Sequence, residues 1–412
     1  MSPAAKKGPA KKAGKSSSPE AEQTAEDIFE AQIASFGLGN SLMLADAYDN
    51  NFDVVTSGFP GVNMLISNDV KLQGIPKQVH IEIFSELEHS GKTSFTLAVG
   101  VTWQMLGLKV GVIDIEPSIT LDYLKLVGFI TSKAEAEALS KKLGYPVYAV
   151  RLLQPKVDPL KCESEMVYVD SVLDVVSAAS NIFDMLIVDS VDALVSAADA
   201  AKTTEQADQM GGVSKQIKSF FRKNTKRRAT CWWVNHMSVG LGQYAKSYTT
   251  GGKAIPRYST LRFRLDRVGL VYPSGNTELE PIGFVTKISM VKNRLGPIGR
   301  SVNLTYLFGE GFSVNYDYFL TALRLGIINK KGGWFYFGKD KDNSKLTVQG
   351  ETNMYQALRT NTVLMDELKL LIDGEDVDAV EETEISDEDR LAGMDVTEEE
   401  EAAEDQHLAE AA

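Results

Sequence analysis

Short β-branched apolar runs alternate with longer helical stretches through the middle of the chain. This alternation predicts strands joined by crossover helices in a mostly parallel sheet, hence an α/β fold. Three runs define it: Val79 to Phe84, Lys109 to Ile115 and Met185 to Val188. Each is short and mainly apolar, and each ends in polar residues, as expected of central strands covered on both faces with functional groups at their carboxyl ends. A fourth run, Ala229 to Val234, ends in Asn235 and His236, and Ser94 to Leu106 reads as an apolar helix. From Val285 further strands follow, among them Val302 to Phe308, which stops at Gly309-Glu310-Gly311. Helix over Phe319 to Leu325, a turn at Gly332-Gly333 and an aromatic strand over Trp334 to Phe337 then predict a small α+β C-terminal domain at 312–372. The pattern contains no internal repeat.

Composition narrows the class. The 412 residues are 43% hydrophobic and 24% charged, enough apolar surface for more than one core. No stretch approaches the roughly 18 consecutive apolar residues of a membrane span, and the N-terminus lacks a secretory apolar run, so no membrane partner is expected. Cys162 and Cys231 are the only cysteines and four histidines accompany them, which argues against a disulfide framework or a structural zinc site. A reducing, cytoplasmic setting is expected, the host cytoplasm if the chain is viral.

The net charge of −13 is unevenly placed. Residues 373–412 hold 18 Asp and Glu against a single basic residue, Arg390, whereas the rest of the chain holds 42 Lys and Arg against 38 acids. The body is therefore mildly basic and the acidity forms a tail, expected to be disordered. At the other end Lys6, Lys7, Lys11, Lys12 and Lys15 lie among Pro, Gly, Ala and Ser, a composition that predicts a second disordered tail over 1–24. A helical segment for subunit packing is assigned to 25–51.

Candidate chemistry centres on Glu86-Leu-Glu-His-Ser-Gly-Lys-Thr93, between a predicted strand and a predicted helix. A phosphate-binding loop belongs there. Backbone N–H groups at the helix start would face phosphates, Lys92 would neutralise their charge and the Thr93 hydroxyl would ligate Mg²⁺. Glu88, His89, Ser90, Gly91 and Ser94 complete the expected ATP cradle. The full pattern asks for glycine where Glu86 stands, so a carboxylate at the loop entrance is expected to oppose phosphate binding. Phe183 to Asp189 is an apolar strand ending in an acid, and Asp189 is expected to hold the magnesium with Thr93. Glu116, at the end of another strand, is the candidate general base.

In this order the motifs resemble the RecA family of homologous recombinases, including its phage members, from about Phe52 to Ile372. Gly91-Lys92-Thr93 is similar to the end of the family's Walker A motif, Ile113 to Glu116 to the strand with its catalytic glutamate, and Leu186 to Leu194 to its Walker B motif. The likeness extends through Met210-Gly211, Asn235-His236, Thr249 to Gly252, Lys292-Asn-Arg294, Gly309 to Gly311 and Gly332 to Tyr336, with an insertion near 130–165. It implies a RecA-type ATPase core over 52–311 using ATP and Mg²⁺. Tyr123 matches the adenine-stacking tyrosine, and Asn235 with His236 the pair that senses the terminal phosphate.

The resemblance also gives meaning to two polar segments, 197–212 and 237–253, as loops that grip single-stranded DNA. Met210 and Leu241 match the apolar wedges between base triplets, Gly211, Gly212, Gly251 and Gly252 could approach phosphates, and Lys215, Arg222, Lys246 and Lys253 supply charge. Ser238 and Gly240 stand where basic residues are expected, which shifts the grip towards Lys246 and Lys253. Lys292 and Arg294 resemble the basic pair that reaches a neighbouring subunit's nucleotide, so hydrolysis is expected to require assembly. Such head-to-tail contacts build helical filaments. The implied activity is ATP-dependent strand exchange between single-stranded and homologous duplex DNA, with single-strand-binding and loading proteins as further implied partners. Two alternatives remain open: an ATP-assembled DNA-binding accessory filament without efficient hydrolysis, and a ring motor of the same ATPase fold. The acidic tail is expected to compete with DNA for the basic groove.

Overall fold

A computed structural model describes residues 53–68, 73–155, 157–158, 163–164, 168–196, 212–224, 228–238, 247–273, 277–338 and 343–373. The two tails, the 25–51 segment, Cys162, Met210, Gly211, Leu241 and Lys246 lie outside these residues.

The elements run β1 (Val54–Val55), α1 (Pro60–Ile66), β2 (Ile75–Pro76), β3 (His80–Ser85), α2 (Lys92–Met105), β4 (Val110–Asp114), α3 (Leu121–Val127), α4 (Lys133–Leu143), β5 (Arg151–Leu153), β6 (Val157–Asp158) and β7 (Glu163–Ser164). Next come α5 (Val169–Ala179), β8 (Met185–Asp189), α6 (Gly212–Lys223), β9 (Thr230–Ser238), β10 (Tyr248–Thr249), α7 (Ala254–Tyr258), β11 (Leu261–Val271), β12 (Gly283–Asn293), β13 (Ser301–Leu307) and β14 (Gly311–Phe312). The C-terminal part holds α8 (Val314–Arg324), β15 (Ile328–Lys331), β16 (Trp334–Phe337), β17 (Leu346–Gln349), α9 (Glu351–Thr360) and α10 (Thr362–Asp373).

One large sheet dominates, in the order β14-β13-β12-β11-β3-β9-β8-β4-β5, with β10 added to β9. From β11 to β5 neighbouring strands are parallel, and from β11 to β14 they form an antiparallel meander. The predicted mostly parallel α/β sheet is therefore present. Strands β3, β4 and β8 are buried along their whole length, which is why their sequences read as near-continuous apolar runs. Apolar side chains on one face pack α2 through Phe95, Leu97, Val99 and Trp103. On the other face Val172, Val176, Ile217, Phe220 and Phe221 of α5 and α6 meet Leu186, Val188 and Trp233.

Several boundaries differ from the sequence expectation. Strand β9 continues through Asn235 and His236 to Ser238, because β10 pairs with its last residues and extends the ladder. Strand β11 was not anticipated at all, although Leu261, Phe263 and Leu265 alternate with Arg262, Arg264 and Asp266. Part of the insertion is ordered structure against α2. The Gln104 amide donates to the carbonyls of Ile130 and Tyr148 at 2.8 Å each, and its oxygen accepts from Ile130 N–H at 2.9 Å. Thr120 and Ser132 cap the starts of α3 and α4: Thr120 accepts from Tyr123 N–H and Ser132 from Glu135 N–H.

A separate apolar cluster gathers Phe319, Ala322, Ile328, Phe335, Phe337, Met354, Leu358 and Leu368 around the three-stranded sheet β15-β16-β17. Among the described residues no helix is long and apolar enough to cross a membrane.

Candidate nucleotide site

Parallel pairing aligns the carboxyl ends of β3, β9, β8 and β4. Ser85 at the end of β3 is the register partner of His236, and Asp189 at the end of β8 is the partner of Asp114. Ile115 N–H donates to the Asp189 carbonyl at 2.6 Å, which sets Glu116 one residue beyond this line.

The predicted phosphate loop connects β3 to α2. Gly91 precedes the helix with φ of 86°, and a Cβ there would meet the Phe312 ring at 2.9 Å, so both backbone and packing require glycine. Among the described residues no side chain caps the helix N-terminus, leaving its first N–H groups to an incoming anion. Lys92 is only 6% exposed and its Nζ donates to Ser85 Oγ at 2.6 Å. Burial lowers its pKa, while Asp189, Glu116 and Glu88 act in the opposite direction. Ser90 is buried, its hydroxyl has no hydrogen-bond partner among the described residues, and its carbonyl accepts from Thr286 Oγ1 at 3.0 Å. Glu88 and His89 are exposed at the loop tip.

Thr93 Oγ1 donates to Asp189 Oδ2 at 2.6 Å. Burial raises the Asp189 carboxyl to about 6; the Thr93 hydrogen bond pulls it down, Glu116 and Asp114 push it up, and Lys92 opposes them. A hydroxyl and a carboxylate held together in this way, beside a buried ammonium, an unpartnered serine hydroxyl and an uncapped helix start, fit a Mg²⁺-bound triphosphate. Glu116 is exposed and accepts a short hydrogen bond from Ser190 Oγ. His236 is half-buried; burial first and Lys92 second lower its pKa, against Asp192, Glu116 and Glu88, which favours the neutral imidazole, a form that can donate one hydrogen bond.

Four expected residues are turned elsewhere. The Glu86 carboxylate leans towards Arg264 at 3.4 Å, with both side chains at least 40% exposed, instead of facing the cradle. Asn235 is enclosed: its amide donates to Glu82 Oε1 and the Thr250 carbonyl at 2.9 Å each, so within the Asn235-His236 pair it is His236 that stands near Lys92. Lys292 Nζ donates to the carbonyls of Pro256 and Arg257 at 2.7 and 2.9 Å, and Arg294 donates to Arg257 at 2.9 Å. Both cations thus satisfy the C-terminal end of α7 in this chain. Burial, with Arg294 and Arg262 adding to it, lowers Lys292 to about 8.

The described end of the second polar segment packs against the first turns of α6, just past the end of the first segment. Gly251 and Gly252 have φ of 80° and 76°, and Cβ atoms there would strike Val191, Ile217 and Ser214. The end of the second segment therefore lies against the start of α6, where Gly212 and the exposed Lys215 emerge from the first. Arg222 and Lys253 are also exposed.

A family model described as the RecA N-terminal domain matches residues 24–313. The chain belongs to the RecA family. Protein RecA of Campylobacter fetus is 28% identical over 344 residues, covering 81% of this chain and 87% of that one. Protein RecA of Malacoplasma penetrans is 29% identical over 335 residues, with 80% and 89% covered, and that of a Rickettsia bellii strain 28% identical over 349 residues, with 83% and 90% covered. A crystal structure of the RadB recombinase aligns with 62% of this chain and 97% of its own at 14% identity and a TM-score of 0.40.

In this RecA-family chain the expected residue Tyr123 is joined by aromatic residues that sequence reading overlooked. Tyr123 shares a 2.7 Å hydrogen bond with Ser94, and burial pushes its phenol to about 12, Ser94 opposing and Tyr306 adding. Tyr306 stacks on Phe284 at 4.8 Å and meets Phe312 edge-on at 5.1 Å, which makes an aromatic wall behind Gly91. Phe308 belongs to the same wall and is 54% exposed. The signal was available as the aromatic alternation Tyr306, Phe308 beside Gly309, but it reads equally well as an ordinary strand end.

Proposed function

We propose that this RecA-family protein is an ATP-dependent recombinase that forms helical filaments on single-stranded DNA and catalyses homologous pairing and strand exchange, with DNA-stimulated ATP hydrolysis. The observation that carries the reading is the single line of groups from Ser85 and Lys92 through His236 to Asp189 and Glu116, from which β9 leads directly into the second polar segment.

Lys92, Ser90 and the N–H groups at the start of α2 hold the triphosphate, and Thr93 with Asp189 holds Mg²⁺. When bound, Mg²⁺ would supply neutralisation of phosphate charge. Tyr123 and Phe308 offer ring faces to the base. Glu116, oriented by Ser190, accepts the proton of the attacking water. Neutral His236 donates to the terminal phosphate, and its position within β9 passes that contact to residues 237–253. Lys292 and Arg294 exchange their carbonyl partners at α7 for the nucleotide of an adjoining subunit. Exposed Lys215, Arg222 and Lys253, with the glycines at 211–212 and 251–252, meet the DNA backbone, and Met210 and Leu241 enter between bases.

Glu86 leaning towards Arg264 counts against the accessory-filament alternative, whose best support in the sequence is a carboxylate at the loop entrance. Strand exchange between homologous DNAs, with and without ATP, tests the proposal. Product that depends on both ATP and homology is expected; DNA unwinding without exchange would identify the ring motor instead.

A further inference from the structure

Glu82 has no part in the chemistry above, yet it is a fully buried carboxylate in the central strand β3, between Ile81 and Ile83. An ion there is costly unless each oxygen is paired, and an apolar side chain would serve packing as well or better. Both oxygens are paired. Oε1 accepts from Asn235 Nδ2 at 2.9 Å and Oε2 from Arg262 Nε at 2.5 Å.

Each partner leads to a different part of the proposed machinery. The Asn235 amide also holds the Thr250 carbonyl, Asn235 Oδ1 accepts from His236 N–H at 2.9 Å, and Thr250 N–H donates to the His236 carbonyl at 3.0 Å. This arm fastens the His236 backbone to the end of the second polar segment. The Arg262 guanidinium lies over the Phe84 ring at 4.6 Å, and Arg262 is the register partner of Lys292. That arm reaches the basic pair, which in turn grips the C-terminal end of α7, one short helix beyond the glycines 251 and 252.

We infer that Glu82 is a positioning residue that couples the nucleotide site to the second DNA segment, by holding Asn235 against Thr250 on one side and Arg262 beside Lys292 on the other. The inference rests on the proposed function. A contact to His236 and a movement of Lys292 and Arg294 then act on Thr250 to Lys253 through one shared carboxylate. Because the three elements are remote in sequence, a rigid buried junction transmits small displacements that a flexible loop would absorb.

The test uses the full chain, a labelled oligothymidylate and a non-hydrolysable ATP analogue with Mg²⁺ at fixed salt. DNA affinity is measured with and without the analogue, analogue binding is measured directly, and melting is followed for every variant. Wild type is expected to bind DNA about tenfold more tightly with the analogue, within the usual range of allosteric coupling. Glu82→Gln, which keeps an acceptor for Asn235 but loses the charge facing Arg262, is expected to bind the analogue normally and lose most of the tightening. The double variant Glu82→Leu with Arg262→Leu removes the buried ion pair as a unit, so it is expected to melt no lower than wild type while tightening less than about twofold. If the double variant tightens as wild type does, Glu82 is only structural and the inference is overturned. A wild type that binds the analogue without any change in DNA affinity would instead overturn the proposed function, and the inference with it.

Discussion

Thr93 Oγ1 and Asp189 Oδ2 lie 2.6 Å apart, joining the first turn of the helix behind the phosphate loop to the end of a strand 96 positions later. The hydroxyl and the carboxylate are the two oxygens a hard cation needs at this point, and they are already brought together by the fold. Thr93→Ala should therefore weaken Mg²⁺-dependent ATP binding by on the order of 10- to 100-fold, the loss of one charge-assisted contact, whereas Thr93→Ser should stay within about threefold. Titration with a fluorescent ATP analogue at saturating and chelated Mg²⁺ measures both.

Glu86 offers a test whose expected outcome is no change. Its carboxylate and Arg264 form an exposed pair at 3.4 Å, of the kind worth at most about 1 kcal/mol and nothing to phosphate binding. Glu86→Gln should leave ATP affinity within about twofold of wild type. A gain of tenfold would mean that the charge acts on the cradle after all.

Asp317 governs a pH effect on stability. It is 2% exposed, its Oδ2 accepts from Gly61 N–H at 2.9 Å, and its Oδ1 has no partner among the described residues. Burial raises its carboxyl from 3.8 to about 6, against the pull of the Gly61 N–H and Arg324. The folded state thus holds the proton more tightly than the unfolded chain, and the stabilisation is present in full below about 4 and lost as pH rises through about 6. Relative to Asp317→Asn, wild type should lose about 2–3 kcal/mol of unfolding free energy between pH 4 and 7. Denaturant melts of both proteins across that range read the difference directly; a difference that does not change with pH would remove Asp317 as its source.

What could be read from the sequence divides along physical lines. The runs around Val112, Ile187 and Val234 announced central strands because a strand buried on both faces must be apolar throughout. Gly91-Lys92-Thr93 announced its chemistry because phosphate binding fixes residue type locally. Residues whose meaning depends on a remote partner stayed hidden. Glu82 lies inside an apolar run and becomes intelligible only when β11 brings Arg262 alongside. Strand β11 itself alternates charged and apolar residues because its charges find partners in β3 and in its own strand, as Arg262 does with Glu82 and Arg264 with Asp266. The resemblance paired Asn235 with His236, yet successive strand residues face opposite ways: His236 feels the Lys92 charge, while the Asn235 amide holds Glu82 and the Thr250 carbonyl. Glu86 was judged by its place in the motif, and Arg264, 178 residues away, decided its direction.

We propose that ATP sits at a seam to which one subunit brings Glu116 and its neighbour brings Lys292. The variants Glu116→Gln and Lys292→Ala should each be nearly devoid of DNA-stimulated ATP hydrolysis alone. Mixed in equal amounts on single-stranded DNA, they should recover about a quarter of wild-type hydrolysis, because one seam in about four then combines an intact Glu116 with an intact Lys292. Hydrolysis no greater than the mean of the two separate variants would contradict the account and place both residues in the service of one subunit's own nucleotide.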